Sequence, residues 1–258
     1  MFPFPSYVEK NYNGFAILKF FSKKDFMKDF LNGKLFFNTG DFFMLCEKEG
    51  VGDYEEHQSI LVRPTPECLV SMNIEIINDE PLIVPRDYTD NPKDYKPTTI
   101  LQYSSAENRY KKAICFYSLF LDSINNKIKP IDKKMEKEFG KYAVLIHDKS
   151  AFYTILYKAL KEDVNIVDFK LGFVDYKKDE EKKGFVVWDP FKKDQAKYGH
   201  QNELRVSIQT KDKTPFVLDL KQSLNGIVFQ VEIDSLLSDA YMKEGLLYYK
   251  IVPTEEGE

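Results

Sequence analysis

The chain has 258 residues, 43% of them hydrophobic and 30% charged, a composition that excludes a disordered, collagen-like or coiled-coil protein. Its 37 basic and 41 acidic side chains give a formal net charge of −4, so no bulk positive charge draws it to nucleic acid or to an anionic membrane. Cys46, Cys68 and Cys115 are odd in number and far apart, which argues against a disulfide scaffold and for a reducing, cytoplasmic home.

Met1 to Lys19 mixes prolines and charges before any signal-like apolar run, and no window approaches the roughly 18 apolar residues of a membrane span. Aromatic residues are abundant, with 21 Phe and 16 Tyr. Large rings fill cores and also wall pockets that stack planar ligands.

In chain order, Phe15 to Phe20 reads as a strand. Ser22 followed by Asp25 has the form of a capping box for a helix carrying Phe26, Met27, Phe30 and Leu31, ended by Gly33. Leu35 to Asn38 is a second strand, and the amphipathic segment Asp41 to Lys48 runs into an acidic, glycine-bearing loop, Glu49 to His57. Cys68 to Ile77 alternates as a strand. Between Asn78 and Thr99 four prolines break any ladder, so a long irregular excursion is expected at about 78–99.

Ala113 to Phe120 and Tyr142 to Ile146 are strands, and Lys149 to Glu162 carries Phe152, Ile155, Leu156, Ala159 and Leu160 at helical spacing. Phe173 to Tyr176 and Phe185 to Asp189 flank the charged run Lys177 to Gly184, a solvated hairpin tip. Strands at Asn202 to Ile208, Phe216 to Leu220 and Gly226 to Ile233, a short helix at Ser235 to Tyr241, and a strand at Leu246 to Val252 complete the chain. Helices do not alternate with strands in a βαβ rhythm. The spacing predicts one α+β domain over 1–258, mostly antiparallel, with a few helices.

Phosphate-loop, dinucleotide-fold, zincin and hydrolase-elbow signatures are missing. His147 closes an apolar strand and reads as structural. Cys46, Glu49, Asp53, Glu55, Glu56 and His57 match no closed zinc spacing, so no metal is expected. The informative stretch is Phe191 to Gln209. Alternation there puts Gln201, Glu203, Arg205 and Ser207 on one face of a strand and Leu204, Val206 and Ile208 on the other. Either the polar face is wet, with Glu203 and Arg205 offsetting each other, or it carries chemistry.

Gln201-Asn202-Glu203 resembles the Gln-x-Glu element of one branch of the ADP-ribosyltransferase superfamily. The opening segment ILKFFSKKDFMKDFLNGKLFFNTGDFF, the GVGDYEEH loop and the late FKKDQAKYGHQNELRV are together similar to a widespread set of bacterial and phage proteins suspected of the same fold. The resemblance implies a split sheet and NAD as substrate. Glu203 would steady the oxocarbenium-like ribosyl cation, and Gln201 would position the acceptor. Lys19 would stand where these enzymes keep an Arg or His for the dinucleotide, offering a point charge instead of a planar fork. Asn38, Thr39, Phe42 and Tyr198 would border the cofactor, and a protein would be the acceptor or target, in phage–host conflict for example. An alternative is a protein-binding factor without chemistry. A third reading, a Mg²⁺-dependent nucleic-acid enzyme using Asp53, Glu55, Glu56 and Glu203, is opposed by the net charge.

Overall fold

The computed structural model describes residues 14–46, 50–53, 58–62, 101–104, 109–122, 127–128, 131–177, 184–186, 189–231, 241–243 and 246–248. Strand β1 (Gly14–Phe21), helix α1 (Lys24–Leu31), β2 (Lys34–Thr39) and α2 (Gly40–Leu45) open the fold. β3 (Gln58–Val62), β4 (Leu101–Ser104), the long β5 (Lys111–Asp122), β6 (Lys127–Ile128), α3 (Lys134–Phe139), β7 (Tyr142–Ile146) and α4 (Lys149–Glu162) follow. The remaining elements are β8 (Ile166–Phe173), β9 (Asp175–Lys177), β10 (Gly184–Val186), β11 (Lys192–Asp194), α5 (Gln195–Tyr198), a 3₁₀ turn (Gly199–Gln201), β12 (Glu203–Thr210), β13 (Phe216–Asp219), β14 (Val228–Val231), β15 (Tyr241–Lys243) and β16 (Leu246–Tyr248). The architecture is α+β. Among the described strands every pairing is antiparallel except that of β9 with β11.

Strand alternation builds two cores, one on each side of the central sheet. Ile17, Ile114, Phe116, Val144, Ile146, Leu204, Val206 and Ile208 face one way and meet Met27 and Phe30 of α1 and Phe152, Leu156 and Leu160 of α4. The last three recur every fourth residue, so they form one stripe on α4. Asp148 starts that helix by accepting a 2.9 Å hydrogen bond from the Ala151 amide. On the other face Ala16, Leu18, Phe20, Tyr117, Leu119 and Leu145 pack on Met135 of α3.

β5 organises the sheet. Along one edge it pairs with β12 from Lys111 to Tyr117. On the opposite edge β1 pairs with it from Phe120 only as far as Tyr117, then leaves it while staying on β7 through Phe21. β2 takes over that edge only at Ala113 and Lys112. Ile114, Cys115 and Phe116 therefore have no ladder partner on that side among the described residues, and the sheet is open there.

Several local expectations change. The predicted capping box does not form: α1 begins after Lys23, whose side chain makes no capping bond. The strand predicted from Asn202 begins at Glu203, because Asn202 adopts a left-handed conformation with φ 40°. Gln201 lies outside it, in the 3₁₀ turn. The strand at Phe173 to Tyr176 is two strands, interrupted at Val174, whose amide donates to the Glu203 carbonyl at 2.9 Å. The polar face of β12 is not wet, since Glu203, Arg205 and Ser207 are all buried. Cys68 to Ile77, the excursion at 78–99, most of the predicted helix at Ser235 to Tyr241 and the chain after Tyr248 lie outside the described residues.

Candidate functional site

The gap in the sheet opens into a cavity of about 190 Å³. Because it passes through the sheet, residues from both faces line it: Lys19, Ile114 and Phe116 from one, and Phe20, Cys115, Tyr117 and Glu203 from the other. Asn38 reaches it from β2, Phe43 from α2, Gln201 from the 3₁₀ turn, and Lys193 from β11. Most of the wall is apolar, with Phe20, Phe36, Phe43, Phe116, Tyr117 and Phe139 as its rings, and Glu203, Gln201 and Lys193 form a polar cluster within it.

Glu203 is the centre of that cluster. Its Oε1 accepts from Arg205 Nε at 2.5 Å and its Oε2 from Lys193 Nζ at 3.0 Å. Arg205 is two residues along the same strand face, while Lys193 is brought in by the parallel pairing of β11 with β9. Arg205 also donates from Nη1 to the Pro190 carbonyl at 2.7 Å, which fixes its plane. Burial by itself would raise the Glu203 carboxyl, but the charges of Arg205 and Lys193, with hydrogen bonds from Arg205 and Cys115, outweigh it. The carboxylate is held ionised, well below its usual range.

Gln201 is fixed by three partners. Its Oε1 accepts from Lys193 Nζ at 3.3 Å, and its Nε2 donates to the Gly50 carbonyl at 2.6 Å and to Glu138 Oε2 at 3.4 Å. The same Glu138 oxygen lies 2.8 Å from His200 Nε2. Gly50 has φ +76°, and a Cβ there would fall 1.9 Å from the Glu138 carboxyl carbon, so this approach requires glycine. Asn202 turns the chain from the 3₁₀ turn into β12 and donates from Nδ2 to the Tyr117 hydroxyl at 3.2 Å. Gln201 and Glu203 thus reach one cavity from different elements, joined through Lys193.

Lys19 is half-buried, with Nζ 5.7 Å from the Phe21 ring centroid and 5.9 Å from that of Phe116. It makes no hydrogen bond among the described residues. Burial lowers its pKa, opposed in part by Cys115 and Glu203. The Cys115 thiol is pushed up to about 12, by burial first and then by the Glu203 charge.

Of the residues singled out in the sequence, Lys19, Asn38, Gln201 and Glu203 border the cavity. Tyr198 stands behind it, with Lys193 Nζ 5.0 Å above its ring and its hydroxyl donating to the Gly52 carbonyl at 2.8 Å. Thr39 and Phe42 do not border it. Thr39 caps α2 by accepting from the Phe42 amide at 3.2 Å, and Phe42 is 45% exposed, leaving Phe43 to face the cavity. Buried Asp53 donates its amide to the Phe43 carbonyl at 2.8 Å, while Glu55, Glu56 and His57 lie outside the described residues. Cys115 and Glu138 lie outside the sequence motif, and Lys193 and His200 lie within the segment FKKDQAKYGHQNELRV without a role assigned from it. Among the described residues no cluster of three or more His, Cys, Asp or Glu could hold a metal ion, and no helix is long and apolar enough to cross a membrane. Compared with family models, curated proteins and solved structures, the chain matches none.

Proposed function

We propose that the protein is an NAD-using enzyme of the ADP-ribosyltransferase or NAD glycohydrolase type, acting on a protein acceptor or on water. The observation that carries this reading is the ionised, immobilised carboxylate of Glu203 in a largely apolar, ring-bearing cavity set in a gap between strands. Nicotinamide would stack on the wall of Phe43 and Phe116, with its ribose toward Glu203. The cavity is below the roughly 300–1,000 Å³ of pockets that enclose a drug-sized ligand. It suits the nicotinamide riboside end, with the phosphates and adenosine extending outward.

The glycosidic C1′–N bond breaks with its electron pair going to the ring nitrogen, so neutral nicotinamide leaves and positive charge develops on the ribose. Glu203 accepts a hydrogen bond from a ribose hydroxyl and stabilises that charge. Arg205 and Lys193 soften its field, but they hold it in place, so no reorganisation accompanies the reaction. Gln201 orients the attacking group, which bonds to C1′ and releases its proton to solvent. Lys19, whose ammonium has no hydrogen-bonded partner among the described residues, is available to a ligand phosphate. The test is nicotinamide release from NAD: the wild type releases it, and Glu203→Gln, shown by circular dichroism to be folded, loses at least about 10²-fold in turnover. A folded Glu203→Gln protein with full activity rejects the reading.

A protein-binding factor without chemistry has separate support in the exposed Phe36, Phe42, Leu45 and Val217, of which Phe36 and Val217 are direct cross-strand neighbours. Such rigid apolar surface suits a protein contact. Under this reading partner capture survives Glu203→Gln and is lost on Val217→Asp, a position that does not line the cavity.

A further inference from the structure

Two polar nitrogens in the cavity wall make no hydrogen bond among the described residues, Lys19 Nζ and Asn38 Nδ2. The Asn38 Oδ1 accepts from the Thr39 amide at 3.1 Å, which fixes the side chain and leaves its NH₂ as a spare donor. The two residues stand at opposite ends of the gap in the sheet. Lys19 follows Leu18, the last β1 residue paired with β5, while Asn38 is the β2 residue paired with Ala113. Between them the wall is made of Phe20, Phe36, Phe43 and Phe116.

The other inward lysines are engaged. Lys193 Nζ is held by Gln201 and Glu203, and Lys112 Nζ donates to the Asp212 and Tyr110 carbonyls at 2.7 and 3.3 Å. Lys19 has only the rings of Phe21 and Phe116 beside its nitrogen, 5.7 and 5.9 Å from their centroids. Burial lowers its pKa, opposed in part by Cys115 and Glu203. A lysine desolvated among apolar groups is an activated amine, because its neutral form carries the nucleophilic lone pair. With about 190 Å³, the cavity has room for a short-chain or single-ring ligand.

We infer that the cavity takes up a small apolar aldehyde as a Schiff base on Lys19, with Asn38 donating a hydrogen bond to the carbonyl oxygen. The Nζ lone pair bonds to the carbonyl carbon, the carbon–oxygen bond then breaks, and the oxygen leaves as water with the two protons of the amine. The inference does not depend on the reaction proposed above: the ammonium form meets a phosphate there, and the neutral amine acts here. Incubating the full chain with benzaldehyde and sodium cyanoborohydride, which reduces an imine to a stable benzylamine, tests it, with peptide mass mapping to read the rate at each lysine. At about pH 7.5 Lys19 is expected to be labelled at least about tenfold faster than the exposed Lys24, since a lysine of ordinary pKa is almost wholly protonated there. Asn38→Ala slows labelling of Lys19 about fivefold, the effect of one neutral hydrogen bond, and leaves Lys24 unchanged. Equal rates at Lys19 and Lys24 overturn the inference, as does labelling of Lys19 that Asn38→Ala leaves unaltered.

Discussion

Glu203 and Lys193 meet at 3.0 Å with side chains only 5% and 7% exposed. The contact ties β12 to β11 and sets the polar cluster of the cavity, because the same ammonium also holds Gln201. A buried ion pair is worth little against an apolar replacement of both partners, but removing one partner strands the other. Glu203 keeps Arg205 when Lys193 is replaced, so Lys193→Met is expected to cost about 1.5–3 kcal/mol in urea unfolding, the range for losing a hydrogen bond to a charged group. Adding Glu203→Gln to it costs less than the sum of the two single changes. Additivity within about 0.5 kcal/mol would show that the two groups are not coupled.

The depressed Glu203 carboxyl has a definite pH signature. In the unfolded chain it titrates near the ordinary glutamate value of about 4.3, and in the folded protein below its usual range. Between those values the unfolded chain binds more protons, so stability rises with pH. The contribution is complete above the ordinary value and is lost as pH falls through it toward the folded one. The stability gap between the wild type and Glu203→Gln should stay constant from neutral pH to about pH 5 and shrink on further acidification. A gap unchanged down to about pH 3 contradicts the ionised, paired carboxylate.

Cys115 faces the cavity, but with its thiol pushed up to about 12 it carries almost no thiolate at neutral pH. Since the thiolate is the reactive form, alkylation by iodoacetamide at pH 8 should be about 10³-fold slower in the native protein than in denaturant. Peptide mass mapping reads the rate site by site. Fast native labelling of Cys115 would mean that the thiol is not buried beside the Glu203 carboxylate.

Legibility in the sequence followed from how local each signal is. β1, β5 and β7 are short runs rich in apolar, β-branched and aromatic residues, β12 alternates polar and apolar, and α4 has both an apolar stripe and a capping aspartate at Asp148, so these elements read directly. α3 did not, because KMEKEF presents only Met135 and Phe139 as apolar residues. β8 was missed over most of its length because IVDFKLGF leaves its first five residues partly or fully exposed and shows no clean period. At the site, the Gln-x-Glu spacing pointed to Gln201 and Glu203, although the left-handed Asn202 puts them on different elements. Glu138 and Cys115 meet them only through tertiary pairing, for which a linear pattern carries no signal, while Lys193 and His200 lie within the quoted segment but outside its Gln-x-Glu spacing. Thr39 and Phe42 lie beside cavity residues in the chain, but a helix start turned Thr39 to capping and left Phe42 outward.

A crystal structure of the protein with NAD or ADP-ribose decides the question most directly. The ligand's nicotinamide-side ribose should occupy the gap between β1 and β5, with a hydroxyl within about 3.2 Å of a Glu203 oxygen and phosphate toward Lys19. A saturated crystal with the cavity closed to ligand, or with ribose bound away from Glu203, would contradict the proposed role of this carboxylate.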